Sequence, residues 1–295
     1  MQYRMLGRTG LRVSQVGFGG AVVGIPNYIE PWHPLDPACR QTVVDALDHA
    51  LDQGLNYLDT AESYGDGVSE ETMGRVIGRR RDECVVATKV SSREPTQIRR
   101  SCEASLRRLR TDVIDVYQFH GGWYEPEDVA AILDRGGLAT MQALRDEGKV
   151  RFLGLTAEAP TDGVAGLIET QAFDVVQLRY NLMYQQACDY VSNRGVMVDA
   201  KARNLGVAVM RPLTSGTFQK LVRTACPDLG APLDVHRLLL TYVLSNPDVD
   251  VALVGMRRPA EVDGNIAICD DLASRFDLAD LHHRFAGPKD GAGAR

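Results

Sequence analysis

Short, continuous apolar runs alternate along this chain with longer segments whose apolar residues recur every three or four positions. Eight runs read as strands: VSQVGFG from Val13, LNYLDT from Leu55, CVVATKV from Cys84, VIDVYQF from Val113, VRFLGLT from Val150, DVVQLRY from Asp174, GVAVMRPL from Gly206 and VDVALVG from Val249. Unbroken apolar character is what strands covered on both faces carry. Between them lie helical patterns. Val43, Val44, Leu47 and Leu51 share one stripe that stops at Gly54. SEETMGRVIGRR opens on Ser69 as a candidate cap, and EPTQIRRSCEASLRRLR has Pro95 in its first turn. A long pattern from Glu125 is interrupted at Gly136-Gly137, and further helices are predicted within CDYVSNRGVMVDAKARNLG, LDVHRLLLTYVLSNP and RPAEVDGNIAICDDL. Strict alternation implies parallel strands with right-handed crossovers. Eight such units predict an α/β fold, a single-domain (β/α)8 TIM barrel over 1–286, followed by a frayed Gly/Ala-rich tail over 287–295. An open doubly wound sheet is the alternative. It would want G-x-G-x-x-G after the first strand, where GFGGAVVG has Gly17 and Gly19 but Val22 in place of the third glycine.

Composition narrows the function classes. The 295 residues are 44% hydrophobic and 24% charged, ordinary for a globular protein. A net charge of −6 argues against nucleic acid as a partner, while leaving room for a local basic patch. Six scattered cysteines form no C-x-x-C pair and no metal-ligand spacing with histidine, so no metal is expected and the thiols read as reduced in a cytoplasmic setting. The N-terminal residues carry no apolar signal-peptide core, and no stretch is long enough to span a bilayer. Nothing in the chain fixes an oligomeric state.

The candidate chemistry sits where three successive runs stop on polar side chains: Asp59 and Tyr64, then Lys89, then His120. In a parallel barrel these strand ends converge on the face that carries catalysis. Reducing a carbonyl needs a hydride at carbon and a proton at oxygen. A phenol is a poor donor in water, and a neighbouring ammonium is expected to lower its pKa. A buried ammonium in turn needs a carboxylate, and a neutral imidazole can orient the carbonyl oxygen. The residues therefore read as general acid (Tyr64), activating cation (Lys89), its counter-ion (Asp59) and orienting donor (His120). Each has a plainer use alone, as a turn aromatic, loop cap or satisfied polar group; their joint order favours chemistry.

These motifs, with LGRTGLRVSQVGFGG, GLNYLDTAESYGDGVSEETMG, VVATKV, DVYQFHGG, DVVQLRYN and GNIA, resemble the aldo-keto reductases over nearly the whole chain. The resemblance implies a (β/α)8 oxidoreductase that exchanges hydride between NADP(H) and the carbonyl or alcohol of a small aldehyde, ketone or sugar, with Asp59, Tyr64, Lys89 and His120 as its tetrad. It also implies Gln177 and Thr156 at the nicotinamide, Met210 packed against the ring, Arg211, Leu213, Ser215 and Gly255 along the pyrophosphate, Arg257 or Arg258 at the 2′-phosphate, and Asn265 at the adenine. Three departures stand out. Thr156-Ala157 replaces a usual Ser-Asn, Met210-Arg211 replaces an aromatic and a serine, and Glu261 stands where glutamine or arginine is usual. A carboxylate beside a 2′-phosphate is repulsive, which keeps NAD as an alternative cofactor.

Trp32 and Trp123 fall in loops on the catalytic face, and with Tyr124 and Tyr28 they are expected to wall the substrate pocket. Two other classes remain at this level. One is a redox-sensing regulatory protein that binds nicotinamide with little turnover; the other is a metal-dependent barrel hydrolase, disfavoured because His282 and His283 lie far from the strand ends.

Overall fold

The apolar runs of the sequence become the staves of a cylinder. The computed structural model describes residues 1–189, 192–229 and 233–286. Its first two strands, β1 (Tyr3–Met5) and β2 (Arg12–Ser14), form an antiparallel hairpin. Eight parallel strands follow: β3 (Val16–Gly19), β4 (Tyr57–Asp59), β5 (Val85–Val90), β6 (Ile114–Phe119), β7 (Val150–Ala157), β8 (Val175–Arg179), β9 (Gly206–Met210) and β10 (Val251–Gly255). Each pairs with its sequence neighbour, and β10 closes on β3. The run read as one strand from Val13 is thus two. The chain turns at Gln15, and the Ser14 hydroxyl donates to the Val16 carbonyl at 2.7 Å. The pieces are only three and four residues long, too short for a period to separate them. The hairpin closes the N-terminal end of the cylinder, with Leu6, Leu11 and Val13 buried in the same cluster as Tyr57, Val85, Val116, Val175 and Val251.

Strand parity decides what faces inward. Successive side chains alternate between the barrel interior and the helical shell. The inner set runs Tyr57, Val85, Ala87, Val116, Val175, Ala208 and Leu253. Two residues further along the same strands, the same parity gives Asp59, Lys89, Gln118, Gln177, Met210 and Gly255. Register aligns them: Asp59 lies beside Gly19, Lys89 beside Gln118, and Thr156 beside Gln177. The opposite parity packs on the helices in a second, larger cluster that includes Val86, Tyr117, Phe119, Leu155 and Val209.

The helices mostly follow the sequence pattern. Pro37–Asp52 is capped by Asp36, and Pro95–Leu109 by Glu94, whose carboxylate accepts from Thr96 N and Gln97 N. The double glycine does divide its segment, into Pro126–Leu133 and Gly137–Asp146. Ser69 is not a cap: the helix Val68–Arg80 starts from Gly67, two positions earlier. Ser69 is instead fully buried, donating to the Gly20 carbonyl and accepting from Thr60 Oγ1, both at 2.8 Å. It ties the loop after β3 to the loop after β4. The helix expected across 188–206 is only Val196–Ala202, preceded by an Asp189–Arg194 bridge. Asp162–Glu169 and Thr217–Ala225 are helices that the strand-and-helix reading passed over. The 287–295 tail, with residues 190–191 and 230–232, lies outside the described residues.

Lower in the barrel, Asp115 on β6 is 1% exposed and accepts from Arg81 and Arg151, each at 2.7 Å, and from Val86 N at 2.8 Å. Removing it leaves a buried amide unmet and two guanidiniums without their shared acceptor. Asp115→Ala is expected to cost about 3–5 kcal/mol, read from denaturant unfolding; a midpoint equal to that of the unsubstituted protein would contradict this account.

Candidate active site

Lys89 is the most constrained side chain at the barrel mouth. It is 0% exposed, and its Nζ donates to Asp59 Oδ2 at 2.7 Å, the Thr60 carbonyl at 2.7 Å and the Tyr64 hydroxyl at 3.3 Å. All three donor positions of the ammonium are used. Burial alone would lower its pKa, but the adjoining Asp59 carboxylate and Tyr64 hold it above the ordinary lysine value. The Asp59 carboxyl is pushed upward by the same burial, with Lys89 opposing. Geometry favours the ion pair, since the short contact and the two further acceptors satisfy the ammonium.

Tyr64 is half-buried, and its position is set by backbone contact. A Cβ on Gly24 would collide with the Tyr64 carbonyl, and one on Gly65, at φ +66°, with the Gly24 carbonyl. Two glycines therefore let the loops after β3 and β4 touch behind the phenol. Lys89 acts on the Tyr64 pKa in the expected downward direction, but burial is the larger effect. Burial raises it above the ordinary phenol value, and the ammonium only limits the rise. The phenol is thus protonated at neutral pH.

His120 packs edge-on against Tyr64, with ring centroids 5.7 Å apart, and its Nδ1 meets the Ser63 hydroxyl at 3.2 Å. Burial, with Lys89 and Arg93 nearby, drops its pKa to about 3, so the imidazole is neutral. The four tetrad candidates are therefore brought together, with Tyr64 between the amine and the imidazole.

The cavity above them has a volume of about 220 Å3 and is lined by Asp59, Tyr64, His120, Gln177, Met210, Arg211, Leu213, Ser215 and Gly255, among others. Gln118 Nε2 donates to Gln177 Oε1 at 3.2 Å, while Gln118 Oε1 and Asp59 Oδ1 are buried with no hydrogen-bond partner. A second hollow of about 520 Å3 adjoins it, sharing Val22, Ile29, Leu213 and Gly255, and ends among Arg257, Glu261, Asn265 and His236. Arg211, Thr214 and Ser215 have φ of 57°, 56° and 52°, so the segment between the hollows is held in left-handed backbone rarely adopted by non-glycine residues. The result is a trough from the tetrad to the arginines, of a size suited to a dinucleotide.

Other candidates sit elsewhere. Thr156 spends its hydroxyl on the Gly121 backbone, accepting at 3.0 Å and donating at 2.9 Å. Trp32 is buried, its Nε1 on the Val23 carbonyl and its ring under the Arg257 guanidinium, so it supports the trough from behind. Tyr124 is buried with its hydroxyl on the Phe119 carbonyl, and Trp123, 56% exposed, lines a separate hollow with it. None of these three aromatics walls the catalytic cavity; Tyr28 does, its hydroxyl 3.2 Å from Ser215 Oγ. Arg257 is 3% exposed and bonded to the Val22 carbonyl and to Glu30, whereas Arg258 is exposed. Glu261 turns onto the amides of Arg257 and Arg258 and onto the Arg258 guanidinium, capping its own helix. Asn265 is held between His236 and the Glu261 carbonyl. Glu158 was not anticipated. It lines the cavity and pairs with Arg211 at 2.6 Å and Arg179 at 3.4 Å. Parity could have found it, because it lies two residues beyond the inward Thr156. Among the described residues no group of three or more His, Cys, Asp or Glu side chains could hold a metal ion, and no helix is long and apolar enough to cross a membrane.

A barrel that buries an ammonium beneath one phenol, below two adjoining hollows of about 220 and 520 Å3, stands among the barrel oxidoreductases. Residues 15–281 match the family model described as the Aldo/keto reductase family, and the chain belongs to that family, whose members use a nicotinamide cofactor. It is 33% identical to the aldo-keto reductase YhdN of Bacillus subtilis, covering 96% of this chain and 93% of that one. It is 27% identical to the L-galactose dehydrogenase of Arabidopsis thaliana, over 93% and 90% of the two chains. The crystal structure of an aldo/keto reductase from Klebsiella pneumoniae in complex with NADP and acetate superimposes with a TM-score of 0.74 at 26% identity, covering 98% of this chain and 97% of that one.

Two measurements check the electrostatics. Asp59→Asn strands a buried ammonium and is expected to destabilise the fold by about 3–5 kcal/mol; an unchanged unfolding midpoint would argue against the pair. The His120 ring should show neutral-imidazole NMR shifts from pH 8 down to about 5, since its pKa is depressed to about 3. A titration midpoint near 6.5 would sink that assignment.

Proposed function

We propose that this protein catalyses hydride exchange between a nicotinamide dinucleotide and the carbonyl or alcohol of a small molecule, with Tyr64 as the general acid and base. One observation carries the reading: the Tyr64 hydroxyl is 3.3 Å from a fully buried ammonium and opens into the cavity that Gln177 and His120 line. The bound nicotinamide supplies or accepts the hydride. Gln177 fits a carboxamide, Met210 fits a ring face, and Leu213, Ser215 and Gly255 follow the trough toward Arg257 and Asn265.

In the reducing direction Tyr64 gives its proton to the carbonyl oxygen as the carbon gains the hydride. Lys89 stabilises the phenolate left behind, and Asp59 keeps Lys89 charged in the barrel. His120, being neutral, donates a hydrogen bond to the carbonyl oxygen and holds it toward the phenol. In the oxidising direction the phenolate takes the alcohol proton. The Glu158–Arg211 pair at the rim suits a substrate that bears hydroxyl groups, a property consistent with the name of the Arabidopsis relative. Aldehydes, ketones and sugars small enough to share the cavity of about 220 Å3 with a nicotinamide ring are the candidate class.

Tyr64→Phe is expected to cut carbonyl reduction by at least about 1,000-fold, near the scale of general acid catalysis, while dinucleotide binding by fluorescence titration persists. Near-normal turnover in that variant would refute the assignment. Because the Tyr64 pKa is raised, reduction by the parent enzyme should hold level through neutral pH and fall only in strongly alkaline buffer, whereas alcohol oxidation should climb with pH.

A further inference from the structure

The arginine end of the trough holds a carboxylate that no motif pointed to. Glu30, on the loop after β3, accepts from Arg257 Nη1 at 3.0 Å and from Arg258 Nη2 at 3.2 Å, and it lines the larger hollow with both Arg257 and Glu261. Its place is built by its loop. Trp32 N donates to Asn27 Oδ1 at 2.9 Å, Trp32 Nε1 donates to the Val23 carbonyl at 3.0 Å, and the indole lies 4.2 Å beneath the Arg257 guanidinium. Burial works to raise the Glu30 pKa, but the two guanidiniums hold it below the ordinary carboxylate range, so the side chain is anionic at neutral pH.

The consequence is a basic patch with its charge already matched. Arg257 has committed Nε to the Val22 carbonyl and Nη1 to Glu30, and its Nη2 is buried without a partner. Arg258 is the guanidinium most open to a ligand, yet it is shared between Glu30 and Glu261, the latter at 2.8 Å. Two arginines face two carboxylates, a formal sum of zero. A phosphate dianion arriving there must displace Glu30 from Arg258 or lie close to it, and like charges a few ångströms apart repel strongly in a partly closed site. A carboxylate in the same place is a good acceptor for vicinal ribose hydroxyls, the use made of an acidic residue in dinucleotide-binding folds of another architecture.

We infer that Glu30 sets the choice between the two forms of the dinucleotide, accepting hydrogen bonds from the ribose hydroxyls of the unphosphorylated form and disfavouring a 2′-phosphate on that ribose. This rests on the trough being the dinucleotide site, as proposed above. Glu261 is not equivalent, because its carboxylate is spent on backbone amides at the start of its own helix.

Calorimetric titration with AMP and with adenosine 2′,5′-bisphosphate tests the inference without any turnover. Glu30→Gln, which removes the charge and keeps the shape, should move the affinity ratio toward the bisphosphate by about ten-fold. Glu30→Asp, which keeps the charge, should stay within about three-fold of the parent ratio. A Glu30→Gln ratio unmoved or shifted toward AMP, with both nucleotides binding, would overturn the inference alone, as would a shift of the Glu30→Asp ratio equal to that of Glu30→Gln. Failure of the parent protein to bind either nucleotide would overturn the trough assignment and the inference together. Glu30 lies on an exposed loop, and a shared thermal midpoint among the three proteins shows that the ratios compare equal folds.

Discussion

A single ammonium at the mouth of the cylinder organises everything above it. Lys89 ends an apolar strand whose neighbours on both sides are buried, so its charge is tolerable only with every proton engaged. Asp59, one strand over, supplies the counter-charge, and the Thr60 carbonyl and Tyr64 hydroxyl supply the remaining acceptors. Each partner comes from the stretch that begins at the end of β4 and continues into the loop after it. The electrostatic need of one side chain therefore fixes the path of that loop, and with it the phenol. The same low-dielectric setting that makes the pair costly to break keeps the phenol and the imidazole in their neutral forms.

Backbone contact completes what charge begins. Gly24 and Gly65 allow the first two catalytic-face loops to meet carbonyl to glycine, and Ser69 bridges the same two loops from below. Tyr64 is thereby placed on a support packed backbone against backbone, which suits the proton-transfer role proposed for it. The lower barrel contributes indirectly: Asp115 on β6 and its two arginines tie neighbouring strands together, away from the cavity.

Charge at the other end of the trough is distributed by a different logic. The arginines after β10 look, by position, like a simple phosphate clamp. In the folded chain one of them is a packed structural element stacked on Trp32, and the other is divided between two carboxylates. The segment between the two ends carries left-handed residues at Arg211, Thr214 and Ser215, conformations sustained only where the surrounding fold over-determines them.

The alternation of apolar runs and helical stripes was enough to determine eight parallel strands and their closure, because burial on both faces leaves its mark in local composition. The meeting of these side chains was legible for a related reason: a polar side chain at the end of a buried strand has few structural uses, so Asp59, Lys89 and His120 stand out. What the sequence did not carry was the direction in which loop side chains turn. Trp32, Trp123 and Tyr124 belong to catalytic-face loops, yet they pack behind or beside the cavity, since a large aromatic in a loop buries against whatever apolar surface lies nearest. Glu30 and Glu158 meet their arginines across 227 and 53 positions of chain. Pairings at that separation are decided only when the cylinder closes and brings its loops to one face, because local pattern records burial and period but not which distant charge will arrive alongside.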